Sequence, residues 1–206
     1  MKAFVRIFSF ILHPLIIPVY GILLLFSAFP EVFNFLAYPK SQILIRVTVN
    51  MILFPLFSIF LLSALGFIKG IGMKGKNDRT AALLLILFFY IWTAVSFWFD
   101  GNSDKLVIMW VLGLTIASVL TFLANILISK VSLHTLAMGV FTGLVLSILP
   151  LSIFNLEWVF LATMLASGVS GSVSILQHKH SNRQIYGGYM LGLFSQLLAM
   201  QFVLNF

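Results

Sequence analysis

The 206-residue chain is 61% hydrophobic, 15% aromatic and only 8% charged, against roughly 25% charge in an ordinary soluble domain, which excludes a soluble globular protein. Twelve Lys and Arg against five Asp and Glu give a net charge of +7, but the basic residues punctuate long apolar runs instead of clustering on exposed faces, so a nucleic-acid binder is excluded as well. There is no Cys, hence no disulfide framework, thiolate metal site or Cys nucleophile.

At about 20 residues per spanning helix, this length holds roughly six to eight spans and no separate soluble domain. The expected fold is all-α, a polytopic transmembrane helix bundle forming a single membrane domain over 1–206. Uninterrupted apolar stretches predict about seven spans, at 8–28, 47–68, 81–99, 106–128, 132–154, 158–176 and 186–206. The first is too long for a signal peptide, and no small-residue cleavage site follows it before Phe29-Pro30-Glu31. Pro14 and Pro18 predict a kink or a broken half-helix in that span. Mid-span Asn50 and Asn125 are explained by interhelical hydrogen bonding.

With seven crossings, one membrane face collects Lys2, Arg6, Lys69, Lys74, Lys76, Arg79, Lys130, Lys179 and Arg183 with one acid, Asp78. The other holds Lys40, Arg46 and Lys105 with Glu31, Asp100, Asp104 and Glu157. The excess of Lys and Arg in short loops predicts that the basic face and the N-terminus are cytoplasmic and the C-terminus periplasmic, in a bacterial inner membrane. Basic residues gathered to bind an anion would weaken that rule, because their placement would then serve chemistry.

Three polar clusters lie at span ends on the basic face: Lys74 to Thr80, Lys130 to Thr135, and Gln177 to Gln184. Two spans separate each from the next, so all three meet on one side of the membrane. Helix N-termini favour anions through unpaired N–H groups and the macrodipole. Ser181 followed by Gln184 reads as a capping box opening the last helix, with His180 immediately before it. Lys, Arg and Ser beside two His residues is phosphate chemistry: cations and N–H groups hold the oxygens, one imidazole attacks phosphorus, and another protonates the leaving oxygen. Plainer readings stand beside this one. The Lys74 to Arg79 segment suits an ordinary positive-inside loop, Arg183 a lipid-phosphate anchor, His178 a loop histidine, and His13 a filler of the hydrogen bond freed at Pro14. A metal site is disfavoured because His178 and His180 lack a nearby carboxylate, and an ion transporter because none of the five acids is mid-span.

The segment Lys130-Val131-Ser132-Leu133-His134 resembles the Pro-Ser-Gly-His motif of the type-2 phosphatidic acid phosphatases, the PAP2 superfamily, with Ser and His kept. His180 and the run from Ser181 to Gly192 resemble that family's third motif leading into its Gly-rich helix, and the similarity covers roughly 106–206, with the whole chain looking like a small bacterial branch. Two positions depart: Ser174 stands where the family has Arg, and Gln184 where it usually has Asp. The resemblance implies a metal-independent lipid phosphate or pyrophosphate phosphatase without a cofactor, working through a phosphohistidine, with His180 as nucleophile and His134 as general acid. Lys130, Ser132, Arg79, Arg183 and Lys76 are then expected to bind phosphate, with Gln184 and Ser181 orienting His180. The expected partner is a membrane lipid, an anionic phospholipid or a polyprenyl phosphate. The rival is a catalytically degenerate relative that binds anionic lipid or serves as a subunit of a membrane assembly.

Overall fold

The structure, a computed structural model, describes residues 11–34, 38–69, 75–176 and 180–205. Those residues form a bundle of helices without strands: α1 (Ile17–Ala28), α2 (Pro30–Asn34), α3 (Lys40–Thr48), a π-helical turn (Val49–Leu53), α4 (Phe54–Ala64), α5 (Lys76–Trp98), α6 (Lys105–Leu127), α7 (Leu133–Ile148), α8 (Glu157–Leu176) and α9 (Asn182–Leu204). α3, the π turn and α4 run on as one 25-residue rod. Lys2, Arg6, Lys74, His178 and Lys179, expected on the basic face, lie outside the described residues.

Among the described residues, five helices are long and apolar enough to cross a membrane: Lys40–Ala64, Lys76–Trp98, Lys105–Leu127, Glu157–Leu176 and Asn182–Leu204. The other two expected spans are shorter. α1 has 12 residues, about 18 Å at 1.5 Å per residue, because Pro18 falls in its first turn and starts the helix rather than kinking a longer one. α7 has 16 residues and stops just before Pro150, which has no N–H to continue the hydrogen-bond ladder. The second span also shifts. It begins at Lys40 behind an extended Pro39 and ends where Gly66, at φ 77°, reverses the chain, its N–H donating to Ser63 O and that of Phe67 to Leu62 O. The π turn precedes Pro55, which has no N–H for the carbonyl four residues back; the Phe54 N–H donates instead to Val49 O.

α6 and α7 are the buried centre. Twelve residues of each are buried, and Trp110 on α6 is fully enclosed, its Nε1 donating to Pro18 O at 2.9 Å. Gly21 makes room for that ring, since a Cβ there would overlap it. α9 lies along α7 in the most extensive seam of the bundle. Gly139 and Gly143 on α7 face α9, and Gly188 and Gly192 on α9 face α7, so the two backbones come within touching distance: a Cβ at Gly139 would overlap the Tyr189 carbonyl and one at Gly192 the Leu136 carbonyl. Small residues at four-residue spacing are how helices approach closely where no hydrophobic effect drives them together. Buried Gln196 crosses the same seam between Gly113 and Gly143, its Nε2 donating to Met109 O at 3.3 Å.

The outer surface is the reverse of a soluble protein's. Phe57, Phe60, Phe88, Trp92, Leu165 and Phe194 are all exposed, an apolar girdle suited to hydrocarbon. The end expected to be acidic is tied by an ion pair between Arg46 and Asp100. Tyr38 Oη and Ser103 Oγ also donate to Asp100, and Arg46 Nη2 reaches Ser96 O at 2.8 Å while stacking over Phe97.

Candidate functional site

At the opposite end, the starts of α5, α7 and α9 and the end of α6 meet, as the shared membrane face of the three polar clusters requires. Four contacts fix the meeting. Arg79, in the first turn of α5, donates through Nη2 to Val131 O, just before α7. Asn125 Nδ2, near the end of α6, donates to Thr80 Oγ1 at 2.9 Å, the interhelical bond expected of it. The Ser132 N–H, at the start of α7, donates to Gln184 O in the first turn of α9 at 3.2 Å. His13, in the irregular stretch before α1, stands edge-on to His134 with ring centroids 5.7 Å apart. The His13 Nδ1 also accepts from the Leu15 N–H at 3.4 Å, a local bond beside Pro14.

Ser132 sits at the N-cap of α7 yet does not cap it. It is 1% exposed, and its hydroxyl makes no hydrogen bond among the described residues. The Arg79 Nε is likewise buried without a hydrogen-bond partner there. A buried polar group left unmade costs about 1–3 kcal/mol, and such groups call for a functional explanation when they cluster. Here they flank one helix N-terminus whose first-turn N–H groups have no intrahelical acceptor.

α9 opens as its sequence implies. Ser181 Oγ accepts from the Gln184 N–H at 3.4 Å, and Gln184 Oε1 accepts from the Ser181 N–H at 3.2 Å. That same Oε1 lies 3.3 Å from His180 Nδ1. An oxygen can only accept, so Nδ1 carries the proton and the lone pair of the imidazole is on Nε2. Gln184 therefore sets both the helix start and the tautomer of the histidine in front of it.

The remaining expected site residues are placed differently. Lys76, Lys130 and Arg183 are exposed on the rim of this end, and Ser181 is exposed beside Gln184. Ser174 is buried in α8, its hydroxyl donating to Ser170 O at 2.9 Å. The sequence reading missed the glycines that set the α7–α9 distance, although their four-residue spacing was visible, and it missed the nearness of His13 to His134. No signal short of the fold joins residues so far apart in the chain.

An apolar cavity of about 470 Å³ lies between α1 and the first half of α8, with α7 as its floor, running from Leu12 and Met138 to Trp158. Compared with protein-family models, with curated proteins and with solved structures, the chain finds no match.

Proposed function

We propose that the chain is an integral membrane phosphatase of the PAP2 type, acting on a phosphate or pyrophosphate ester of a membrane lipid. In this reading it crosses a bacterial cytoplasmic membrane seven times, α1 and α7 being completed by their flanking residues. The observation that carries the proposal is the convergence of Ser132, Arg79, His134 and the His180–Gln184 pair at one set of helix starts, with the Ser132 hydroxyl and the Arg79 Nε buried and without a hydrogen-bond partner among the described residues. Phosphate oxygens would satisfy both groups together with the N–H groups opening α7.

His180 Nε2 attacks phosphorus, and the bond from phosphorus to the lipid oxygen breaks as His134 donates a proton to that oxygen. Water then attacks the phosphohistidine, His134 takes its proton, and inorganic phosphate leaves. Gln184 holds Nδ1–H but brings no charge to the imidazolium that forms. Lys76, Lys130 and Arg183 at the rim draw an anionic headgroup toward the site.

A second reading, an anionic-lipid binder without turnover, is favoured by one observation: Ser174, where the family carries Arg, is bonded within its own helix and brings no cation to the site. Phosphate release from a panel of lipid phosphates in detergent with chelator decides between them. The phosphatase reading expects release abolished in both His180→Ala and His134→Ala. No release from any lipid by the folded wild type supports the binder.

A further inference from the structure

The floor of the cavity begins one helical turn from the candidate site, at Met138, four residues after His134 on α7. His134, Met138 and Phe141 stand at i, i+4 and i+7 on α7, hence on one face. His134 belongs to the polar end, while Met138 and Phe141 line the cavity floor. One wall is Leu12, adjacent to His13, with Tyr20 of α1; the other includes Ala162 and Ala166 of α8. Trp158 and Val159 of the same helix also line it, and the two alanines, four residues apart on one face, leave the space between α8 and α1 unfilled. Ala162 is exposed, so the groove opens sideways onto the apolar girdle.

We propose that this groove seats one hydrocarbon chain of a membrane lipid whose anionic head lies at Arg79, Ser132 and His134. A groove of about 470 Å³ is within the usual 300–1,000 Å³ range of ligand sites. Its walls are almost wholly apolar, and the buried Ser132 hydroxyl and Arg79 Nε, without a hydrogen-bond partner among the described residues, stand at the end where a headgroup would be. An occupant must therefore be apolar along its length and anionic at one tip, entering from the bilayer. That describes a lipid with a phosphate head better than a peptide, whose backbone N–H and C=O groups would find no partners in the groove. The position of the head rests on the proposed phosphatase reading. The seating of the chain does not need turnover.

The test uses a non-hydrolysable phosphonate analogue of phosphatidic acid with a diazirine near the end of one acyl chain. The full chain is reconstituted in phosphatidylcholine vesicles, photolysed, and mapped by mass spectrometry. Labelling concentrated on Met138, Phe141 and Ala166 is expected. Ala162→Trp, at an exposed position on the open side of the groove where the larger ring occupies the space of the chain without entering the packed core, should lower that labelling about ten-fold. Labelling of the girdle at Phe57, Phe60 and Trp92 should stay unchanged, which also reports that the variant is folded. Labelling spread evenly over the girdle in the wild type, or groove labelling indifferent to Ala162→Trp, overturns the proposal. A parallel assay separates the two readings. If long-chain and water-soluble phosphate esters are both left intact by the wild type, the phosphatase reading fails and the labelling still decides the groove. If Ala162→Trp keeps its turnover of a soluble ester and loses that of a long-chain lipid, both stand.

Discussion

Replacing Gln184 with Glu puts a charge where the proposed mechanism lacks one. The change is safe for the fold. Glu is the commoner partner of Ser in a capping box, and a carboxylate in the first turn of α9 interacts favourably with the helix dipole by about 0.3–1 kcal/mol. The side-chain oxygen is already 3.3 Å from His180 Nδ1. A unit charge about 4 Å from the imidazolium is worth roughly 1 kcal/mol in water and about 4 kcal/mol at the effective dielectric of a protein surface. His180 is half-buried, between those limits, so stabilising the charge that develops on attack should raise turnover by about five-fold to about a thousand-fold. The assay is phosphate release by wild type and Gln184→Glu, with circular dichroism and gel filtration as checks on folding. A folded Gln184→Glu protein with unchanged rate would refute the assignment of His180 as nucleophile.

Other outcomes test the frame that holds the site. Gly192→Ala drives a Cβ into the Leu136 carbonyl, with Val140 N at 2.8 Å. Backbone cannot swing aside as a side chain can, and unfolding in mixed micelles should show a loss of about 1–3 kcal/mol. Gly168→Ala, with nothing within 4 Å of the new Cβ, should leave stability unchanged or slightly raised. At the other end, the hydrogen bond from Arg46 holds the Asp100 carboxyl below its usual range, against a smaller opposing effect of burial. A carboxyl depressed in the folded state stabilises above the unfolded value of about 3.9 and stops doing so as pH falls through the folded one. The unfolding temperature of the wild type should therefore drop as pH falls below about 4, more steeply than that of Asp100→Asn. Burial raises the Asp104 carboxyl and gives the opposite slope, but Asp104 is present in both proteins and cancels in the comparison.

What the sequence made legible follows from how local each feature is. The capping box at Ser181 and Gln184 is set by residues three apart, and both of its hydrogen bonds are present. The Gln184 grip on His180 is equally local. Helix lengths were less readable wherever apolarity and helicity part company. Lys40, Gln42 and Arg46 hid the start of the second rod, because they are polar yet helical. Leu151, Ile153 and Phe154 extended the fifth apolar run past the point where Pro150 ends its helix. The site was legible only as three clusters on one face. That Arg79 reaches Val131, and that His13 meets His134, depends on the order in which helices pack, which hydrophobic periodicity in a lipid-facing bundle does not encode. α1, α4, α6, α7 and α8 are apolar nearly all round, so no stripe marks their inner side.

α9 and α8, which pack most extensively against α7, divide two opposing demands. A phosphoryl-transfer site needs the groups on α7 and α9 held at fixed separation, since a displacement of about 1 Å can cost about 100-fold in rate. Four glycines supply that by bringing the two backbones into contact, and the Ser132 N–H to Gln184 O bond registers their ends. A lipid needs the reverse, a gap wide enough for a chain, and α8 provides it by presenting alanines to the groove. The two devices use different residues on different faces of α7, so they should fail separately. Gly192→Ala should slow hydrolysis of soluble and long-chain esters alike, because it moves His180 relative to His134. Ala162→Trp should spare the soluble ester and slow only the long-chain lipid, because it leaves the seam untouched. Equal losses on both esters from Ala162→Trp would mean that α8 sets the geometry of the reacting groups, and the division of labour between the two seams would be wrong.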